Sequence, residues 1–359
     1  MFEQRPTHTA FPLSGLSKTL GLLLLPLAVL GLTACDSRKS EMNAQREAPG
    51  SNDAKSYETA PLLQSADDWR CPSDPGKAPS GQLVAERIPG SASQRDEPGL
   101  YEGPVWIAGA LYFSDFTFSE GFPSRIQRLT PDGKMETVIE DSGSNGLAVD
   151  AEGYIMAATH DLKAISRYHP QSGEREIIWN EYAGEPFNSP NDLTLTRNGH
   201  MYFTDPDFQR TAAPGGQPET RVYHLGVEGI EVVESGIVNP NGVALSPDQQ
   251  TLYVAGGEEE GVLRAYELNA QGMPSGHRDL ASLSIPDGMA IDCLGNIYTT
   301  EHAAQRARVF SPQGEQLAEI RVDANITNAA FGGPERKTLY LTGQGTVWRL
   351  ELDVAGYPY

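Results

Sequence analysis

Six stretches of one kind recur from about residue 81 to the end of this chain. They are "EGPVWIAGALYFSD" (from Glu102), "SNGLAVDAEGYIMAAT" (Ser144), "PNDLTLTRNGHMYFTD" (Pro190), "PNGVALSPDQQTLYVAG" (Pro240), "PDGMAIDCLGNIYTTE" (Pro286) and "TNAAFGGPERKTLYLTG" (Thr327). Each has a polar opening, four or five alternating residues, a Gly- or Asp-bearing turn, and a second alternating run rich in aromatics. That is the pattern of a β-hairpin. The period of roughly 41 to 50 residues is that of a four-stranded propeller blade. Intervening strand pairs such as "RIQRLTPDGKMETVIE" and "RARVFSPQGEQLAEI" suit the two outer strands. The expected fold is all-β: a closed six-bladed β-propeller over residues 81–359, with about four antiparallel strands per blade and no exposed sheet edge. Abundant Gly (37) and Pro (26) fit many short elements joined by tight turns. A two-sheet sandwich, the main competitor, gives no reason for six hairpins to share both spacing and opening chemistry.

Aligned on their openings, the hairpins place Glu102, Asn145, Asn191, Asn241, Asp287 and Asn328 in register. Every one is a carboxylate or a carboxamide. The first strand of a propeller repeat is normally innermost, so its opening residue stands at one mouth of the central channel. Singly, each Asn reads as turn or strand-end chemistry. The set does not, because a turn has no need of the first repeat's glutamate. Pro-Asp-Gly shows the contrast: in "LTPDGKMET" it joins outer strands and Asp132 is a turn residue, whereas in "SIPDGMAID" it opens an inner strand and Asp287 falls in the ring. Two carboxylates and four amides suit one hard divalent cation, Ca²⁺ first, with Mg²⁺, Mn²⁺ or Zn²⁺ as alternatives. Such an ion offsets the cost of burying both carboxylates unpaired. The second strands return to the same face with Asp115, Thr159, Asp205, Gly256, Glu301 and Gly343, and His160 and His302 follow two of these.

The N-terminal 34 residues read as an export signal. Lys18 precedes "TLGLLLLPLAVLGLTAC", an apolar run too short to span a bilayer comfortably. Its end, "LTAC", resembles a bacterial lipoprotein signal cleaved before a lipidated Cys35; an ordinary signal peptide or a buried helix are the alternatives. The expectation is an exported, periplasm-facing lipoprotein held at a membrane by its lipid anchor only, with Asp36 resembling an inner-membrane retention signal. Residues 35–80 then read as the lipidated cysteine and a flexible tether, with Trp69 to Pro72 undecided between tether and domain edge. Cys71 and Cys293 could pair in an oxidising compartment or stay as two free thiols. A net charge of −21 argues against a nucleic-acid partner, which needs clustered Lys and Arg. Oligomeric state leaves no signature in the sequence.

"EGPVW", "NSPND…YFTDP", "PNGVALSPD…TLYV", "PDGMAID…GN" and "TNAAFGGP…KTLY" resemble the signature segments of the senescence marker protein (regucalcin)/gluconolactonase family. The resemblance covers all six repeats. It implies a six-bladed propeller that hydrolyses sugar lactones with a divalent metal in the channel. It places the metal ligands at Glu102, Asn241 and Asp287, a substrate-contacting asparagine at Asn191, and Asp287 also as the base. "SNGLAVD…ATH" is similar to a bacterial gluconolactonase segment whose histidine falls on His160. The chain departs from the family at Gly256-Gly257, followed by the acidic Glu258 to Glu260, and the long "DFQRTAAPGGQPETRVYHL" loop could lie over the same mouth.

Lactone hydrolysis needs a stabilised carbonyl oxygen and a base that assists water. Asp287 can be ligand and base together only if one oxygen stays off the metal; otherwise Glu301 or His160 is the better base, with His302 a further candidate. Asn191 and Asn145 would orient the substrate, since each amide offers donor and acceptor. Two rivals stand beside this reading: a hydrolase of another ester or a phosphotriester on the same scaffold, and a non-catalytic ligand-binding or scaffolding propeller with a structural ion. A serine hydrolase is disfavoured, as there is no G-x-S-x-G.

Overall fold

Alternating side chains turn each repeat into an antiparallel sheet, and six such sheets surround one axis among the residues described by the computed structural model, 70–97 and 99–358. The signal, Cys35 and the tether as far as residue 69 lie outside the described residues. Blade 1 comprises Gly99–Ile107, Ala110–Thr117, Ser124–Leu129 and Met135–Ile139; blade 2 comprises Ser144–Val149, Ile155–Thr159, Ala164–Tyr168 and Arg175–Trp179. Blade 3 runs through Leu193–Leu195, Met201–Asp205, Arg221–Gly226 and Gly229–Glu234. Blade 4 uses Pro240–Leu245, Thr251–Gly256, Gly261–Leu268 and Pro274–Leu283, and blade 5 uses Pro286–Ile291, Ile297–Glu301, Arg306–Phe310 and Gln316–Arg321.

The last repeat supplies only three strands of blade 6: Ile326–Gly332, Thr338–Gly343 and Thr346–Glu351. Its fourth is Glu86–Arg87, which pairs antiparallel with Arg349 and Trp348. Just before it, Gly81–Val84 lies parallel along the outer strand of blade 5. The ring is therefore closed by a strand from the opposite end of the domain. Two residues carry no periodicity, so this closure is invisible in the repeat pattern.

The core is divided rather than central. Six buried apolar clusters sit one at each interface between neighbouring blades; Tyr101, Phe113, Ala330 and Tyr340, for example, join blade 1 to blade 6. Trp106 stacks on Tyr340 across that seam with ring centroids 5.3 Å apart. Because every blade buries both faces against neighbours, the inner strands are held firmly, and residues at their openings inherit that rigidity.

The two ends of the described segment meet on the face opposite the ring. Cys71 forms a disulfide with Cys293, in the turn after the inner strand of blade 5. Gly76 bridges Val354, Ala355 donates to the Pro75 carbonyl, and Tyr357 donates to Ile291 and packs in the cluster between blades 4 and 5. The thiols are thus paired, and residues 71–80, expected as the end of a tether, are attached to the domain. The bridge closes a loop of 222 residues and so constrains the unfolded chain strongly. Cys71→Ser, or mild reduction, is expected to lower stability by about 2–5 kcal/mol. Thermal melts with and without reductant check this, with activity per folded molecule unchanged.

Candidate active site

Inner strands open on a local irregularity. Pairing slips between Glu102 and Val105, Ser144 and Leu147, Pro240 and Val243, Pro286 and Met289, and Ile326 and Ala329. Each slip is a bulge, which re-aims the side chains beside it, and each lies on the ring residue of its blade. In blade 3 the regular strand begins only at Leu193, leaving Asn191 and Asp192 ahead of it. A Cβ on Gly242 would stand 2.4 Å from the Asp287 carbonyl oxygen, and one on Gly288 would stand 1.9 Å from the Asn328 carboxamide carbon. Nothing larger than glycine fits there, so successive blades close up tightly around the axis. Hydroxyls of the second strands pin the neighbouring opening: Ser114 donates to the Asn145 carbonyl at 2.6 Å and Thr204 to the Asn241 carbonyl at 2.7 Å.

All six ring residues are buried. Asn328 points its amide nitrogen between Glu102 Oε2 at 3.5 Å and Asp192 Oδ2 at 3.4 Å. Blades 6 and 3 oppose each other, so the second contact crosses the channel. Burial, then the charges of Asp287 and Asp192, hold the Glu102 carboxyl well above the usual range. Burial likewise pushes Asp192 up to about 7. Asp287 is raised by burial, partly relieved by His302, whose Nδ1 stands 3.4 Å from Asp287 Oδ2 and 2.8 Å from the Ile326 carbonyl oxygen. His302 is itself raised: burial opposes its charge, and the Asp287 carboxylate outweighs that.

Three carboxyl groups thus face one another with a single imidazole beside them. Asn145 Oδ1, Asn241 Oδ1 and Asp287 Oδ1 are buried without any hydrogen-bond partner. Buried oxygens are rarely left orphaned, and an all-oxygen set of carboxylates and amide carbonyls is what a hard divalent cation takes. The residues present therefore fit such an ion. Among the described residues no three His, Cys, Asp or Glu side chains form a metal shell by themselves; carboxamides would have to complete one.

Glu102, Asn241 and Asp287 come together in this ring, with Asn145 and Asn191 in the same circle. Two other expected residues do not join them. His160 is fully buried, its Nε2 bound to the Phe122 carbonyl at 2.7 Å and its ring edge-on to Phe116 and Phe122. Glu301 has both oxygens engaged, accepting from Arg306 at 2.6 Å, from the Ser284 backbone at 2.8 Å and from Arg308. Burial would raise its pKa, but these partners outweigh it and hold the carboxyl low. Asp115 pairs with Arg95 and Arg125, and Asp205 accepts from the Asn188 and Ser189 backbone. The three second-strand carboxylates therefore brace loops around the mouth. Glu301→Gln is expected to cost about 1–3 kcal/mol of stability and to leave cation affinity intact, as thermal melts and calorimetric titration would show.

Asp192 is the residue that the repeat alignment passes over. The column after the ring holds glycine in four repeats (Gly103, Gly146, Gly242, Gly288) and Ala329 in the sixth. A carboxylate at a place reserved for the smallest residue was the available signal.

Residues 100–345 match the model of the SMP-30/gluconolactonase/LRE-like region. The chain belongs to the SMP-30/gluconolactonase family. Its relatives include a gluconolactonase of Zymomonas mobilis, 30% identical over 290 residues, 71% of this chain and 79% of the relative. Among solved structures, a gluconolactonase from Xanthomonas campestris superposes with a TM-score of 0.65 at 28% identity, covering 79% of this chain and all of that one. A calcium-binding regucalcin from Agrobacterium tumefaciens shares the fold, with a TM-score of 0.61 at 18% identity over 78% and 97% of the two chains. Family members of known name thus include lactone hydrolases on this six-bladed scaffold.

Proposed function

We propose that this SMP-30/gluconolactonase family member hydrolyses lactones, sugar lactones of the gluconolactone kind included, at the mouth of its channel, with one divalent cation held by Glu102, Asn241 and Asp287. The observation that carries this reading is the close approach of three buried carboxyl groups, Glu102, Asp192 and Asp287, beside the partnerless Oδ1 atoms of Asn241 and Asp287. Calcium is the first choice because the donors are all oxygen.

When bound, such an ion supplies a Lewis acid that stabilises negative charge developing on a lactone carbonyl oxygen. The chain's own groups divide the remaining work. Asp287 Oδ1 would be the oxygen that meets the ion, whereas Oδ2, 3.4 Å from His302 Nδ1, would take a proton from attacking water. Asn191 and Asn145 offer amide donors and acceptors to substrate hydroxyls and carbonyl. The tight blade packing keeps these groups preorganised.

The exported, lipid-anchored state remains part of the proposal; the Cys71–Cys293 disulfide supports an oxidising compartment. A lactone panel on the purified full chain, with and without chelator, tests the activity. Turnover that is lost to chelator and regained with Ca²⁺ is expected. Undiminished turnover in chelator would remove the cation from the mechanism. Tight cation binding with no turnover of any lactone would favour a binding propeller instead.

A further inference from the structure

The loops on the mouth face differ sharply between the two halves of the ring. Those joining second to third strands in blades 1, 2 and 3 (residues 118–123, 160–163 and 206–220) each present a large apolar side chain to solvent. Phe118 is 63% exposed, Leu162 45% and Phe208 43%; Val238, at 62%, adds a fourth in the segment entering blade 4. The equivalent loops of blades 4, 5 and 6 read Gly-Glu-Glu-Glu, His-Ala-Ala-Gln and Gln-Gly (residues 257–260, 302–305 and 344–345) and hold none. Scattered exposed apolar residues need no explanation. Three at one structural position in consecutive blades, with none in the other three, are not a random scatter.

These side chains are held out on braced supports. Phe118 leans on Phe116 with ring centroids 5.8 Å apart, and its loop is tied down by His160, which engages the Phe122 carbonyl from full burial. The loop bearing Phe208 is fastened by Lys163, also buried, whose ammonium donates to the Arg210 carbonyl at 2.8 Å and the Asn188 carbonyl at 2.5 Å. Burying an imidazole and an ammonium is costly. Here both serve to fix the two loops that carry exposed phenylalanines.

We propose that this arc is the apolar subsite of the reaction, and that the preferred lactones carry an alkyl or acyl side chain lying over blades 1 to 3 while the ring sits at the carboxylate cluster. The inference rests on the lactone reading above. Strands in a sheet are about 4.8 Å apart, so loops between second and third strands lie roughly 5–10 Å outside the inner strand, within reach of a medium-length chain. A bilayer suits the arc less well: the rim continues into Glu258, Glu259 and Glu260, and the whole chain carries a net charge of −21. In addition, residues 71–76 are tied to the opposite face. The same acidic rim disfavours side chains that end in an anion.

The test is kcat/KM of the calcium-loaded full chain on δ-valerolactone, δ-octalactone, δ-decalactone and δ-dodecalactone, for wild type, Phe118→Ser/Phe208→Ser and Phe118→Leu. Wild type is expected to improve by up to about fourfold per methylene that becomes buried, mainly through KM, and to level off once the chain passes the arc. The double serine variant should bring the ratio of longest to shortest substrate down towards one, while Phe118→Leu keeps the rise. Both sites are exposed, so melting temperatures should match wild type. A flat wild-type series overturns the inference and leaves the lactone reading standing; hydrolysis of no lactone overturns both. A rise that survives the double variant also overturns it, as would a flat series combined with loss of zwitterionic-vesicle binding in that variant, which would assign the arc to a membrane.

Discussion

Asp287→Ala is expected to lower the proposed lactone hydrolysis by at least about 10³-fold and to abolish tight cation binding. Removing one preorganised group that stabilises a developing oxyanion typically costs 10²–10³, and this substitution removes the proposed ligand and the proposed base together. It would also deprive the neighbouring Glu102 and Asp192 of an ion that would make their close approach tolerable. Asp287→Asn separates the two roles. It keeps an amide oxygen for the ion but cannot accept a proton, so cation affinity is expected to fall modestly while kcat collapses. Calorimetric titration of both variants with Ca²⁺, beside their turnover numbers, gives the comparison; an Asp287→Asn enzyme with near-native kcat would remove the base assignment.

The second large effect is on stability and has a definite sign. Glu102, Asp192 and Asp287 all have folded-state pKa values raised above their ordinary ones, chiefly by burial. The folded metal-free protein therefore holds more protons than the unfolded chain between the ordinary carboxylate range and neutrality. Stability is greatest below that window and is lost as the pH rises through it. For Asp192, raised from 3.8 to about 7, the loss by pH 8 is roughly 4 kcal/mol at 1.36 kcal/mol per pKa unit. A cation replaces those protons, so its affinity should climb with pH over the same interval. Melting temperatures of chelator-treated protein are expected to fall from pH 5.5 to pH 8, and saturating Ca²⁺ should flatten that slope. A metal-free melting temperature that stays level or rises would mean that the carboxylates do not share a dry site.

The ring itself was legible from sequence because its chemistry repeats: five of the six openings carry a bulge at the aligned residue, and that geometry places Asn241 and Asp287 where hairpin spacing does. What escaped was whatever departs from the period. Asp192 enters the channel one residue after its repeat's ring position, since the regular strand of blade 3 begins late. Glu86 and Arg87 close blade 6 with a strand too short to alternate. Glu301 and His160 lie in register with the mouth, but register along a strand does not reveal which way a side chain turns. Arg306 and the Phe122 carbonyl claim them, and both partners come from loops and outer strands. The disulfide was equally beyond sequence, because spacing along the chain carries no distance.

The most direct measurement is calcium titration of chelator-treated, dialysed full chain, following lactone hydrolysis and thermal stability on the same samples. Activity should start near zero, return with one ion per chain, and share its midpoint with the rise in melting temperature. Full hydrolysis before any ion is added, with no further change on titration, would contradict a cation held at Glu102, Asn241 and Asp287 as the centre of the reaction.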